Sequence, residues 1–357
     1  MIAHGGDTWQ VAQELGIPVS ELLDFSANIN PRGLPPRARE RLTRDASDPR
    51  TLSIYPDPSA RVLRIALSAH LDVPPEAIVV GPGAEALLSP VLRSINARRA
   101  LVPIPAFSEY RRVCEQQQVD FIPFPLLRTN AFELPVDGFC EAIEPGAVFL
   151  NNPHNPSGGV LSAGQVRQIL QAAHAAHATL LLDEAFVDYT PSASLSREAA
   201  SRVDLIVIRS LTKFFGCPAL RVGYAIAHPD VARRIAGFLP TWPVTQLAID
   251  GLAEAISDHE FAAASISENA AAREALAESL KTLGLAVFRS AANYLLLELQ
   301  PGMPAASQLR ASMIENHRIL LRNCDSYEGL APGRFVRTAV RSGQDNRRLL
   351  EALREEL

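Results

Sequence analysis

Short apolar runs alternate with stretches of helical spacing along most of the chain. Ala77–Val80 reads as a buried strand, Gly81-Pro82-Gly83 breaks it, and Ala84–Ile95 carries the apolar period of a helix. The same alternation recurs with strand-sized runs at Leu101–Ile104, Val119–Phe124, Ala147–Leu150, Thr179–Leu182, Val203–Ile208 and Val222–Ala227, and with a helix over Ser162–Ala176. Strands alternating with helices predict an α/β fold, a mostly parallel sheet covered on both faces. Ligands of such sheets sit beyond the carboxyl ends of the strands. That rule gathers Gly81–Glu85, Asn152–Ser157, Asp183–Phe186 and Ser210–Lys213 on one rim.

The last third reads differently. Ala263–Leu283 is a long alanine-rich helix, followed by strand-like Tyr294–Leu297, Ile319–Arg322 and Phe335–Val340 and a charged terminal helix, the order of a smaller α+β domain. Leu23–Asn30 could lend it a strand. The expected division is residues 1–45 as an N-terminal arm and part of the small domain, 46–242 as the large domain and 243–357 as the small one, hinged near Pro240–Pro243.

Composition narrows the function. The chain has 357 residues, enough for two domains. Its 34 Lys+Arg against 39 Asp+Glu leave no basic surplus for nucleic acid. No run approaches the ~20 apolar residues of a membrane helix. Met1–Gly6 lacks the basic and apolar regions of a secretion signal. Cys114, Cys140, Cys217 and Cys324 show neither metal-ligand nor disulfide spacing. A cytoplasmic protein with no metal, no nucleic acid and no membrane partner is expected.

Four segments carry chemistry. In Ser210-Leu-Thr-Lys213-Phe-Phe-Gly216, a lysine just past a buried strand has hydroxyls one and three residues before it. Lowered in pKa, its amine could form a Schiff base with an aldehyde; a solvated lysine is the plain alternative. Arg221 follows eight residues on. Asp183 ends a wholly apolar strand, which is costly unless a cation meets it, although a helix-capping aspartate is common there. Asn152-Pro-His154-Asn155-Pro156 forces a tight loop that holds Asn155 on the rim, or is an ordinary turn. Gly81-Pro-Gly83-Ala84-Glu85 exposes backbone N–H groups at a helix start, an anion cradle.

Taken together, these segments resemble the fold-type I pyridoxal-phosphate enzymes over nearly the whole chain. The resemblance implies a large domain with a mostly parallel sheet flanked by helices and a smaller α+β C-terminal domain, with pyridoxal 5'-phosphate as cofactor. It implies that Lys213 bonds the cofactor aldehyde, that Asp183 pairs with the pyridine nitrogen and that Asn155 binds the ring oxygen. Gly83, Ala84 and Glu85 at the cradle, with Ser210 and Arg221, would hold the phosphate. Phe107 falls where the family stacks an aromatic ring, and Tyr55 matches a tyrosine reaching the neighbouring subunit's phosphate, so a homodimer is implied.

Two branches are close, the histidinol-phosphate aminotransferases and the threonine-phosphate decarboxylases of cobalamin synthesis. His4-Gly5-Gly6-Asp7 and Asp24-Phe-Ser-Ala-Asn28-Ile-Asn-Pro31 look like the decarboxylases, although Asp7 stands where an asparagine often sits. Phe186, where many aminotransferases carry a tyrosine, points the same way. The decarboxylase resemblance implies that His4, Gly5, Asn28, Asn155, Arg322 and Arg337 contact a small phosphorylated amino acid. Arg334 and Arg341 read as surface residues. An aminotransferase, or a scaffold of this fold without turnover, remains the rival expectation.

Overall fold

The computed structural model describes residues 5–357. The N-terminal segment contributes β1 (Leu23–Asp24), and the large sheet follows as β2 (Ile78–Gly81), β3 (Arg99–Ile104), β4 (Asp120–Pro125), β5 (Ala147–Asn151), β6 (Thr179–Asp183), β7 (Leu205–Ser210) and β8 (Gly223–Ile226). Their order across the sheet is β2-β8-β7-β6-β5-β3-β4. The pairs among β7, β6, β5, β3 and β4 are parallel, whereas β8 runs antiparallel to both neighbours.

The central strands are apolar throughout because both faces are covered. In β6, Leu180 and Leu182 enter one core with Val148, Leu150 and Val207, while Leu181 enters the other with Phe149, Ile206 and Ile208. This alternation continues to the strand ends, where Asp183 and Ser210 emerge. The crossover helix Ala163–Ala175 starts on a capping box, Ser162 with Gln165.

The smaller unit is an antiparallel sheet of β9 (Ala286–Val287), β10 (Tyr294–Glu298), β12 (Arg322–Asn323) and β13 (Phe335–Ala339), in the order β12-β13-β10-β9. The expected strand over Ile319–Arg322 divides at Leu321: β11 (Ile319–Leu320) pairs in parallel with β1, and β12 turns to β13. The N-terminal segment thus does lend a strand, through Leu23↔Ile319 and Asp24↔Leu320.

The packing does not follow a division at residue 243. Helix Gln246–Ile256 places Ala248, Ile249, Leu252 and Ile256 in the large-sheet core, together with Ala38 of helix Pro36–Ser47. Helix His259–Thr282 enters that core with Phe261 and the small-domain core with Leu276 and Leu280. We therefore propose that the boundary lies within this long helix and that residues 36–45 belong with the large domain. Among the described residues, no helix is long and apolar enough to cross a membrane.

Candidate active site

Strand ends and loop geometry build the site from the sheet upward. Helix Ala84–Ile95 begins after Gly83, whose φ of 103° is a left-handed value suited to glycine, and no side chain caps its first turn. A Cβ on Gly83 would lie 2.9 Å from Arg221 Nη2, so the guanidinium rests against the open helix start. A Cβ on Gly223 would come within 2.3 Å of the Ala84 nitrogen; only glycine lets β8 run this close. Ser210 Oγ and Thr212 Oγ1 hydrogen-bond at 2.9 Å. Arg221 has no carboxylate partner among the described residues. Free N–H groups, two hydroxyls and a guanidinium without a carboxylate partner together suit a phosphate dianion.

Glu85 can reach the cradle only in part. Its carboxylate turns away to accept from Arg112 Nη2 at 2.7 Å, so it can serve the cradle through its backbone only.

Asp183 is buried at the end of β6. Tyr110 donates to its Oδ2 at 2.5 Å and the Ala185 amide to its Oδ1 at 2.9 Å. Burial raises its pKa; these two hydrogen bonds and the nearby Lys213 ammonium oppose the rise. A cation delivered to this carboxylate would relieve the burial penalty, and a protonated pyridine is such a cation. Phe107 meets Tyr110 edge-on, with ring centroids 5.8 Å apart.

Lys213 lies on the short helix Leu211–Phe214 that follows β7. Burial, then the positive charges of Arg337 and Arg221, lower its pKa to about 8, against the weaker pull of Asp24 and Asp183. A substantial neutral fraction near pH 8 makes the amine a usable nucleophile. Asn30 fixes this helix: its backbone N–H donates to the Lys213 carbonyl at 3.0 Å, and its Nδ2 to the Phe214 carbonyl at 2.8 Å and to Ser265 Oγ at 2.9 Å.

Asn155 stands opposite an arginine wall. Its Oδ1 accepts from Arg337 Nη1 at 2.5 Å and from Tyr327 Oη at 3.0 Å, which commits the oxygen and leaves the NH₂ as the group able to donate elsewhere. Arg337 on β13 and Arg322 on β12 are direct cross-strand partners, only 6% and 8% exposed. Like charges in that relation repel unless an anion joins them. Arg337 has no carboxylate among the described residues; its Nη2 donates to the Ser26 carbonyl at 3.1 Å and its Nε–H is buried without a partner. Asn28, 3% exposed, likewise has an unpartnered Oδ1. Buried orphans of this kind mark a place where a ligand completes the hydrogen bonding.

Other expected residues divide. Gly5 is required by contact, since a Cβ there would meet the Ser26 carbonyl at 2.2 Å, and the Gly6 amide donates to Ser26 Oγ at 2.8 Å. His4 lies outside the described residues. Asp7 accepts from Arg310 at 2.6 Å. Tyr55 is 76% exposed and stacks on Trp242 with centroids 4.3 Å apart. Arg341 is not a free surface residue: it pairs with Asp345 at 3.1 Å and donates to the Asp24 carbonyl at 3.2 Å. Tyr110, Tyr327 and Asn30 were not singled out in the sequence. The first two sit in segments that were, three residues after Phe107 and five after Arg322, but an aromatic among apolar neighbours reads as core until its hydroxyl partner is known.

Residues 20–353 match the aminotransferase class I and II family. The threonine-phosphate decarboxylase of Salmonella typhimurium is 34% identical over 363 residues, 99% of this chain and 96% of that protein. The adenosylcobalamin biosynthesis bifunctional protein CobDQ of Leptospira interrogans is 30% identical over 98% of this chain, which spans 40% of that longer protein. Among solved structures, the histidinol-phosphate aminotransferase of Clostridium acetobutylicum superposes with a TM-score of 0.85 at 27% identity, covering 94% of this chain and 98% of that one. The relatives use pyridoxal phosphate, which the cradle, the buried carboxylate and the lysine fit in charge and donor type. A fold-type I pyridoxal-phosphate chain by its sheet, its site and its relatives, the protein belongs to the aminotransferase class I and II family.

Proposed function

We propose that this protein decarboxylates L-threonine O-3-phosphate, giving (R)-1-amino-2-propanol phosphate and CO₂ in cobalamin synthesis. The observation that carries the reading is the wall of Arg322 and Arg337, joined in sequence by Asn28 and His4-Gly5. Two guanidiniums, one with a buried unpartnered Nε–H, offer more anion-binding donors than one substrate carboxylate needs. The 34% identity to a threonine-phosphate decarboxylase over nearly the whole length of both proteins supports it.

When bound, pyridoxal phosphate acts as an electron sink for the bond broken at Cα. The chain's residues decide which bond that is. Lys213 would hold the cofactor through its amine and, when free, could supply a proton to the substrate. Asp183 keeps the ring nitrogen protonated. Asn155 donates to the ring oxygen, and with phenylalanine at 186, buried against Tyr294, no phenolic hydroxyl from that position shares the task. Arg322 and Arg337 hold mainly the substrate phosphate. A carboxylate gripped by a bidentate arginine would be stabilised against leaving; one held weakly can stand perpendicular to the ring and depart.

The exposed Leu52, Ile54, Tyr55 and Trp242 support a homodimer in which Tyr55 reaches the partner's phosphate cradle. Four free cysteines suit a reducing cytoplasm.

The test is incubation of the holoprotein with L-threonine phosphate. Release of CO₂ without 2-oxoglutarate is expected. Conversion that requires 2-oxoglutarate and yields no CO₂ overturns this reading in favour of a histidinol-phosphate-type aminotransferase.

A further inference from the structure

His154 lies between two loops assigned above to the cofactor, and its contacts reach both. Its Nε2 is 2.8 Å from the Pro105 carbonyl, two residues before Phe107, and its Nδ1 is 2.7 Å from Ser157 Oγ. A carbonyl only accepts, so Nε2 carries the hydrogen, and Nδ1 accepts from the serine. Burial holds its pKa down, to about 4, so the ring is neutral and committed on both edges. Its backbone is equally engaged. The carbonyl accepts from Tyr294 Oη of the small domain at 2.9 Å and from the Gly158 amide at 2.6 Å, and the N–H donates to the Gly159 carbonyl at 2.7 Å.

Packing alone does not fix this loop. A cavity of about 760 Å³ borders it, lined by His154, Asn151, Asn152, Phe132, Phe288 and Tyr110, the last of which donates to Asp183. Where atoms are missing on one side, hydrogen bonds must set the position.

We propose that His154 is a positioning residue for the cofactor reaction, holding the Asn155 amide and the Phe107 loop at a fixed separation across the cofactor ring. The proposal rests on the family's cofactor and on the ring-facing roles proposed for Asn155 and Phe107. A shorter amide or hydroxyl could meet the Pro105 carbonyl or Ser157 but not both, because the two partners lie on opposite edges of the imidazole. Loosening this brace moves Asn155 away from the ring oxygen while leaving Lys213, Asp183 and the phosphate cradle in place.

The variants are His154→Ala and the milder Ser157→Ala, each compared with wild-type holoprotein. Three readouts apply: the pH midpoint of the bound cofactor's absorbance, the cofactor dissociation constant by equilibrium dialysis, and the melting temperature of the cofactor-free protein. A donor on the ring oxygen stabilises its negative charge, so weakening that donor raises the midpoint. His154→Ala is expected to raise it by about one pH unit and to weaken cofactor binding about tenfold, the worth of one hydrogen bond to a charged oxygen. Ser157→Ala should shift both the same way by less, and kcat should fall more than KM rises. A lower melting temperature with unchanged midpoint and dissociation constant in either folded variant overturns the proposal. If His154→Ala does not fold, Ser157→Ala decides on the same readouts. Wild-type protein that holds no pyridoxal phosphate would instead refute the cofactor reading beneath it.

Discussion

At the scale of single residues, the site works by leaving selected groups short of partners. Arg337 and Asn28 are positioned by the fold yet not fully satisfied by it, at buried sites where natural proteins rarely leave polar groups unmet. The Lys213 amine is tuned by its surroundings: burial, then the neighbouring arginines, lower its pKa to about 8 from the usual lysine value. A lowered lysine pKa means the neutral form is gained as pH rises through about 8. The rate at which cofactor-free protein captures pyridoxal phosphate should therefore climb through that pH and level off above it; stopped-flow absorbance measures this. Asp183→Asn removes the charge proposed to keep the ring nitrogen protonated, and turnover should fall at least about a hundredfold while the melting temperature changes little.

At the scale of elements, the spacing between strand ends and helix starts determines whether the donors converge. Gly223 brings β8 against the Ala84 nitrogen, so Gly223→Ala must push the cradle open. Cofactor affinity should drop by at least about tenfold, whereas Gly138→Ala, where a Cβ meets nothing within 4 Å, should leave it unchanged; fluorescence titration distinguishes them. This scale also shows what was legible in the sequence. The helix Ala84–Ile95 and the strands ending at Asp183 and Ser210 were readable because period and punctuation agree there. The strand over Ile319–Arg322 was readable only as one piece, since the change of partner at Leu321 depends on β1, nearly 300 residues earlier. Glu85 was expected in the site because its backbone lies there; its side chain follows a distant arginine, which no local pattern reveals.

At the scale of the whole molecule, two domains meet across the Asn152–Asn155 loop, which Tyr294, Tyr327 and Arg337 grip from the small-domain side. The domain division was the least legible feature, because Gln246–Ile256 is apolar enough for either core and only packing decides. The exposed Leu52, Ile54, Tyr55 and Trp242 belong to this scale too, as the proposed homodimer would cover them. Sedimentation should find a dimer in wild type. Trp242→Glu should shift it toward monomer and loosen cofactor binding, because Tyr55 no longer reaches the other subunit; a Trp242→Glu protein with unchanged mass and affinity would count against that arrangement.

The whole account turns on one amine meeting one aldehyde. Borohydride reduction of the holoprotein followed by peptide mapping tests it most directly. The account predicts a stable pyridoxyl group on Lys213, on no other lysine, and none on Lys213→Ala protein treated in parallel. A label on another residue, or none despite bound cofactor, would contradict it.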